Sequence, residues 1–176
     1  MENDHVDRIL EQWRRERPDI NPSPMGIVGR VKRLAALFER ATSATFARHG
    51  LEPGEFDVLA ALLRTGAPHR LPAGQLGREL MITSGTVTNR IDRLEAAGMV
   101  RRCDHPEDRR STLVALTPAG RHRVDEALAD HLETEQALIA ALSESKKAQL
   151  VAVLRGLLLA LGDSANAKKP VGSLVA

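Results

Sequence analysis

Tyrosine is absent from this sequence, and the remaining aromatics are three phenylalanines and one tryptophan: Phe38, Phe46, Phe56 and Trp13. Modules that hold single-stranded RNA depend on exposed aromatic platforms, so this composition argues against one. The single cysteine, Cys103, leaves no partner for an intrachain disulfide and points to a reducing, cytoplasmic setting. No apolar run approaches the ~20 residues that a membrane span needs; the longest lies near Gly156–Leu161. The opening stretch MENDHVDRILEQWRRERPD is charged throughout and lacks the apolar centre of a secretory signal. Signatures of catalysis are missing too. There is no phosphate-binding glycine loop and no placeable Ser-His-Asp pattern. His5, His49, His69, His105, His122 and His131 show no metal-ligand spacing. The expectation is a non-enzyme with no metal, no cofactor and no membrane contact.

Lysine is also missing from the middle of the chain. The net charge of +2 conceals an uneven distribution: residues 70–123 carry ten arginines against six acids, and all five lysines lie outside that segment. Arginine's planar fork suits bidentate contacts to phosphate and guanine. Charge runs are more often plain solvated faces, so this feature needs support from pattern.

The 176 residues suffice for one domain with elaborated ends. Val6, Ile9, Leu10 and Trp13 follow helical spacing and predict a short amphipathic helix over 4–16. Pro18, Pro22 and Pro24 then predict an extended connector, so residues 1–24 form an added helix and linker. From Met25, the set Ile27, Val31, Leu34, Phe38, Ala41 and Thr45 predicts a long helix closed by Gly50 as a left-handed cap. Pro53 opens the next helix, with Glu52, Glu55 and Asp57 placed as dipole-favoured acids and Phe56, Leu59, Ala60 and Leu63 as its buried stripe. A short helix over 72–80 follows, then Thr83 as N-cap of a helix over 84–97 that Gly98 ends. Beyond Gly98 the period changes to 2, which predicts strands over 99–103 and 111–116 joined by the polar link 104–110. Thr117-Pro118 starts a helix to about Leu142, and Ser143 caps a last one containing Leu150, Leu154, Leu157, Leu158 and Leu161. Residues 163–176 read as a frayed tail.

Helix, helix and hairpin over 53–116 form a winged helix-turn-helix, so the fold class is mainly α with a small β-hairpin wing. At 100° per residue, Val87, Ile91 and Leu94 define the core side of the helix over 84–97. Gly85, Asn89 and Ala96 fall opposite, with Thr86, Asp92 and Arg93 close by. Asparagine can read adenine edges and arginine guanine edges in the major groove. The candidate DNA contacts are Ser84, Thr86, Asn89 and Arg93 on the helix. Arg109 and Arg110 join them at the hairpin tip, where an arginine held by Asp108 suits the narrow minor groove. Either element alone also reads as ordinary polar surface; together they favour double-stranded DNA.

The motifs Gly54-Glu55-Phe56-Asp57-Val58-Leu59, Ser84-Gly85-Thr86-Val87-Thr88-Asn89-Arg90-Ile91-Asp92-Arg93-Leu94-Glu95, Asp104-His105-Pro106-Glu107-Asp108-Arg109-Arg110 and Leu116-Thr117-Pro118-Ala119-Gly120 occur in this order. Over about residues 25–162 the chain resembles the MarR family of bacterial regulators. The resemblance implies a homodimer built from helices in 25–52 and 117–162, reading a palindromic operator as a repressor. Independently, the helices at 25–49 and 147–161 carry more apolar surface than one small winged domain can cover.

With Trp13 in an added helix, followed by Glu16-Arg17-Pro18-Asp19-Ile20 and Ser23-Pro24-Met25, the front of the chain resembles the urate-responsive branch of that family. This resemblance implies an effector that is a small anionic aromatic compound, such as urate or a related purine or phenolic, bound by Trp13, Asp57, Arg90 and Arg102. Arg90 sits at the edge of its helix's core side, from which it could turn inward toward Asp57. Alternatives stand beside each assignment. Trp13 can anchor a surface helix, Asp57 and Arg90 can be a structural ion pair, and Arg102 can meet phosphate. Two rival mechanisms also remain: oxidation at Cys103, which Arg101, Arg102 and His105 flank, and an architectural DNA-binding protein with no effector.

Overall fold

The computed structural model describes residues 2–106 and 111–163. The chain divides into two compact units, residues 1–44 and 45–176. In the first, α1 (His5–Glu16) starts at Asp4, whose carboxylate accepts the N–H groups of Val6 and Asp7 at 2.7 and 3.0 Å. Asp7 returns the favour to the Asp4 N–H at 3.1 Å, closing a capping box. Helix α2 (Ser23–Arg48) begins two residues earlier than the prolines suggested, with Pro24 in its first turn, where no backbone N–H is needed. Asn21 assists by accepting the Ser23 N–H at 3.0 Å.

Helix α1 rests on the N-terminal half of α2 through Val6 and Leu10, both buried. The approach is close because α2 presents glycine there: a Cβ at Gly26 would lie 3.2 Å from Leu10, and one at Gly29 3.4 Å from Val6. Arg30 locks the pair by donating to Asp4 at 2.8 Å and Asp7 at 2.6 Å. Trp13 continues the α1 stripe and remains 40% exposed. Along α2, Ile27, Val28, Val31, Leu34, Leu37 and Phe38 are exposed apolar residues.

The second unit holds the end of α2 and the elements α3 (Pro53–Arg64), β1 (Arg70–Pro72), α4 (Ala73–Glu79), α5 (Ser84–Ala96), β2 (Val100–Asp104), β3 (Thr112–Leu116), α6 (Pro118–Leu138) and α7 (Glu144–Ala160). Its core gathers Val58, Leu59, Leu62, Leu76, Ile91, Leu94, Val100, Val114 and Val124. The three strands form an antiparallel sheet in the order β1-β3-β2, with Val100 opposite Leu116 and Asp104 opposite Thr112. Gly50, at φ +66°, ends the long helix as expected, and Phe46 at its last turn stacks on Phe56 at 4.2 Å between ring centroids. His131 of α6 completes that cluster at 5.0 and 5.2 Å.

Three expectations need correction. Residues 70–72 are a strand, not loop and helix start, because Arg70 and Leu71 pair with Ala115 and Val114 of β3. The α3 stripe is wider than drawn: Val58, Ala61 and Leu62 are buried beside Phe56 and Leu59, whereas Ala60 and Leu63 are only partly covered. This helix meets α5, α6 and β3, so more than one side of it is packed. Finally, α6 stops at Leu138, not Leu142. Residues 139–142 form a turn closed by the Leu142 N–H on the Ile139 carbonyl at 3.0 Å, and Ser143 caps α7. No residue of α7 is buried, and Leu150, Val151, Val153, Leu154, Leu157, Leu158, Leu159 and Leu161 are exposed. Among the described residues no helix is long and apolar enough to cross a membrane.

Where the wing meets α6, Thr117 accepts the Gly120 N–H at 3.0 Å and donates to the Gly98 carbonyl at 2.7 Å. A Cβ on Gly120 would overlap the Met99 carbonyl, which is backbone and cannot swing aside. Gly120→Ala is therefore expected to destabilise the fold by at least about 1–3 kcal/mol, the usual cost of overpacking. Urea unfolding followed by circular dichroism measures it; an unchanged midpoint would contradict the close packing.

Candidate functional site

Helix α5 owes its start to Thr83, whose hydroxyl accepts the Thr86 N–H at 3.3 Å. Val87, Ile91 and Leu94 pin one side into the core, as the 100° spacing requires. The opposite side of its first turns presents Ser84, Gly85, Thr86 and Asn89 to solvent. This is a short, polar, hydrogen-bonding surface without bulky cover, the type of helix face that can enter a major groove. Of the other candidate DNA contacts, Arg109 and Arg110 (with Asp108) lie outside the described residues.

The arginines of α5 do not stand free. Arg90 turns to α3: its Nη1 lies 3.9 Å from Asp57 Oδ2, and its guanidinium lies across Gly54, where any Cβ would overlap it. Burial pushes the Asp57 carboxyl up, while Arg90, Arg64 and His131 pull it the other way. Arg93 is held more tightly. Its Nη2 donates to Glu52 at 2.7 Å, and its Nε lies 2.9 Å from Glu55. Glu55 is only 8% exposed and also accepts the Glu52 N–H at 2.8 Å. Between the start of α3 and α5 lies a cleft of about 420 Å³, floored by Pro53 and Gly54 and walled by Thr86, Asn89, Arg90 and Arg93.

Arg102 belongs to a separate cluster. From β2 it donates through Nη2 to Asp92 at 2.6 Å and through Nη1 to Glu95, and its backbone N–H reaches Glu95 at 2.8 Å. These bonds tie the first wing strand to the last turns of α5 and hold the Glu95 carboxyl below its usual range. Of the four residues assigned to an effector, the structure thus brings Asp57 and Arg90 together, places Arg102 on Asp92 and Glu95, and leaves Trp13 half exposed in the first unit. Cys103 is half buried, with its Sγ 3.8 Å from the Leu113 carbonyl. Among the described residues no cluster of three histidine, cysteine or acidic side chains could hold a metal.

Sequence reading missed the carboxylate partners. The i, i+3 spacing of Glu52 and Glu55 at a helix start is a legible capping signal, but nothing local announces Arg93 as their shared partner, 41 residues from Glu52. Because the Arg90 charge draws the Asp57 carboxyl downward, Arg90→Ala is expected to raise its titration midpoint, and Gly54→Ala to do the same by displacing the guanidinium. Carbon-detected NMR of the side-chain carboxyl reads both; a midpoint that falls or stays fixed would remove the ion pair.

The geometry finds its counterpart among known proteins. Residues 49–111, which contain the helix-turn-helix and the first wing strand, match the MarR family. The HTH-type transcriptional regulator PecS of Dickeya dadantii is 40% identical over 149 residues, covering 85% of this chain and 90% of that protein. A probable transcriptional regulator from Pseudomonas aeruginosa superposes with a TM-score of 0.62 at 30% identity, covering 72% of this chain and 96% of the other. The MarR family regulator Sco3205 of Streptomyces coelicolor, solved in complex with DNA, shares the fold with a TM-score of 0.75 at 22% identity, covering 86% and 94% of the two chains. A polar recognition helix pinned beside a β-ribbon, together with this kinship along the chain, makes the protein a member of the MarR family of DNA-binding transcriptional regulators, which are not enzymes.

Proposed function

We propose that the protein is a homodimeric repressor that reads a palindromic operator and releases it on binding a small anionic aromatic ligand, urate or a related purine or phenolic compound. The observation that carries the ligand reading is the cradled guanidinium of Arg90, 25% exposed above Gly54 and opposed only at 3.9 Å by Asp57. An arginine so loosely neutralised retains donors for an anion, and the planar guanidinium can stack on a flat ring. Resemblance to the urate-responsive branch adds Trp13 as a ring partner. Arg102, occupied by Asp92 and Glu95, would act by holding the wing to the reading helix.

The dimer is supported by the apolar residues that α2 and α7 leave exposed, since a chain rarely keeps that much apolar surface in water. In a dimer, two copies of α5 would address half-sites about 34–36 Å apart on one face of DNA, with Ser84, Thr86 and Asn89 at the base edges and Arg109 and Arg110 at the flanking minor groove.

Trp13 is the sole tryptophan and there is no tyrosine, so emission excited near the red edge of indole absorption reports one residue. Titration with urate should quench it saturably, beyond a free-tryptophan control, and Arg90→Ala should abolish the effect. Absence of quenching would remove urate as effector. Light scattering should give twice the 19.2 kDa chain mass, and Leu154→Glu with Leu158→Glu should reduce it to one chain. A wild-type monomer would overturn the dimer.

A further inference from the structure

Arg93 projects from the last turn of the reading helix, nine residues beyond Ser84 and so ~13 Å along its axis. In helix-turn-helix docking the N-terminal residues of this helix meet the base edges. A cation at the other end lies farther from the base edges and nearer the flanking phosphates, and contacts to phosphate carry affinity without sequence information. Yet this guanidinium is taken up within the chain. Glu52 holds Nη2 at 2.7 Å and Glu55 lies 2.9 Å from Nε, so two carboxylates surround one positive charge.

The two acids are built differently. Glu55 is buried, sits at the positive end of the α3 dipole and is fixed by the Glu52 N–H at 2.8 Å. The Glu52 side chain is 63% exposed and closes the clamp from the solvent side. Together they leave the site with a local charge of one negative, which repels phosphate instead of attracting it.

We propose that Glu52 and Glu55 set the phosphate-driven affinity of this surface: as an internal stand-in for phosphate they withhold Arg93 from DNA and keep sequence-independent binding low. A phosphate contact adds the same electrostatic contribution to every duplex, so withholding one lowers the background affinity on which base readout is superimposed. Sequence reading assigns Arg93 to a guanine edge; the clamp takes it out of DNA contact and restrains affinity instead. This inference rests on α5 docking in the major groove and is independent of any effector.

The test uses the full chain and a mixed-sequence DNA duplex, with affinity followed across salt. Glu52→Gln keeps the shape of the exposed acid and removes its charge. It should strengthen binding and steepen the salt dependence by up to one phosphate contact, a roughly 3- to 4-fold larger loss of affinity between 50 and 200 mM salt. Adding Glu55→Gln should move it further in the same direction. In an Arg93→Met background Glu52→Gln should have no effect on the salt slope. An equal gain in that background would mean simple repulsion of DNA by Glu52 and overturn the clamp. Weaker binding by Glu52→Gln would also overturn it, since the acid would then be presenting Arg93 to DNA. Asn89→Ala, assayed on a duplex selected by the wild-type protein, separates the two levels. An unchanged affinity there refutes the docking of α5, whereas a loss at Asn89 with no response at Glu52 refutes the clamp alone.

Discussion

The buried side of α5 is the constraint from which the rest of the second unit follows. Val87, Ile91 and Leu94 enter a core shared with Val58, Leu59 and Leu62 of α3 and Val100 and Val114 of the sheet. Each apolar side chain in that position stabilises the fold by about 1.5–3 kcal/mol relative to exposure. Rotation of α5 about its axis would lose all three at once. The helix is thereby held with Ser84, Gly85, Thr86 and Asn89 toward solvent, and the reading face is a by-product of packing on the other side.

Ionic contacts then set the flanks of that helix. On one edge Arg90 and Arg93 reach the start of α3, through Asp57, Glu52 and Glu55; on the other, Asp92 and Glu95 receive Arg102 of the first wing strand. Exposed pairs of this kind contribute little stability one by one. Their effect is directional, because a forked guanidinium between two carboxylates restricts tilt and neutralises charge at chosen points. A basic segment by composition therefore presents a less positive surface than its arginine count suggests.

Glycine marks the places where backbone or charge must come close. Gly120 lets α6 meet the Met99 carbonyl, Gly54 lets the Arg90 guanidinium lie on α3, and Gly26 and Gly29 let α1 settle on α2. At Gly120 a methyl group would overlap backbone, at Gly54 it would displace the movable guanidinium, and at Gly26 and Gly29 it would meet side chains at 3.2 and 3.4 Å. None of these glycines stands at a predicted turn, so a turn-based reading of the sequence passes over them.

Much of the fold was legible in the sequence because its determinants are local. Thr83, Thr117 and Ser143 cap helices within three residues of themselves, Gly50 and Gly98 end them, and the 3.6-residue period of Val87, Ile91 and Leu94 names the core side of α5. The inward turn of Arg90 toward Asp57 was also legible, from its angle on that helix. Strand β1 was not, since three residues become a strand only by pairing with β3, more than forty positions away. Nor were the partners of Arg93 and Arg102: a charge seeks its nearest opposite in space, and nearness across α3, α5 and β2 exists only once the core has packed. Local chemistry in the sequence by itself determined which helices form and which way α5 faces; the tertiary structure alone decided which of its arginines are already occupied.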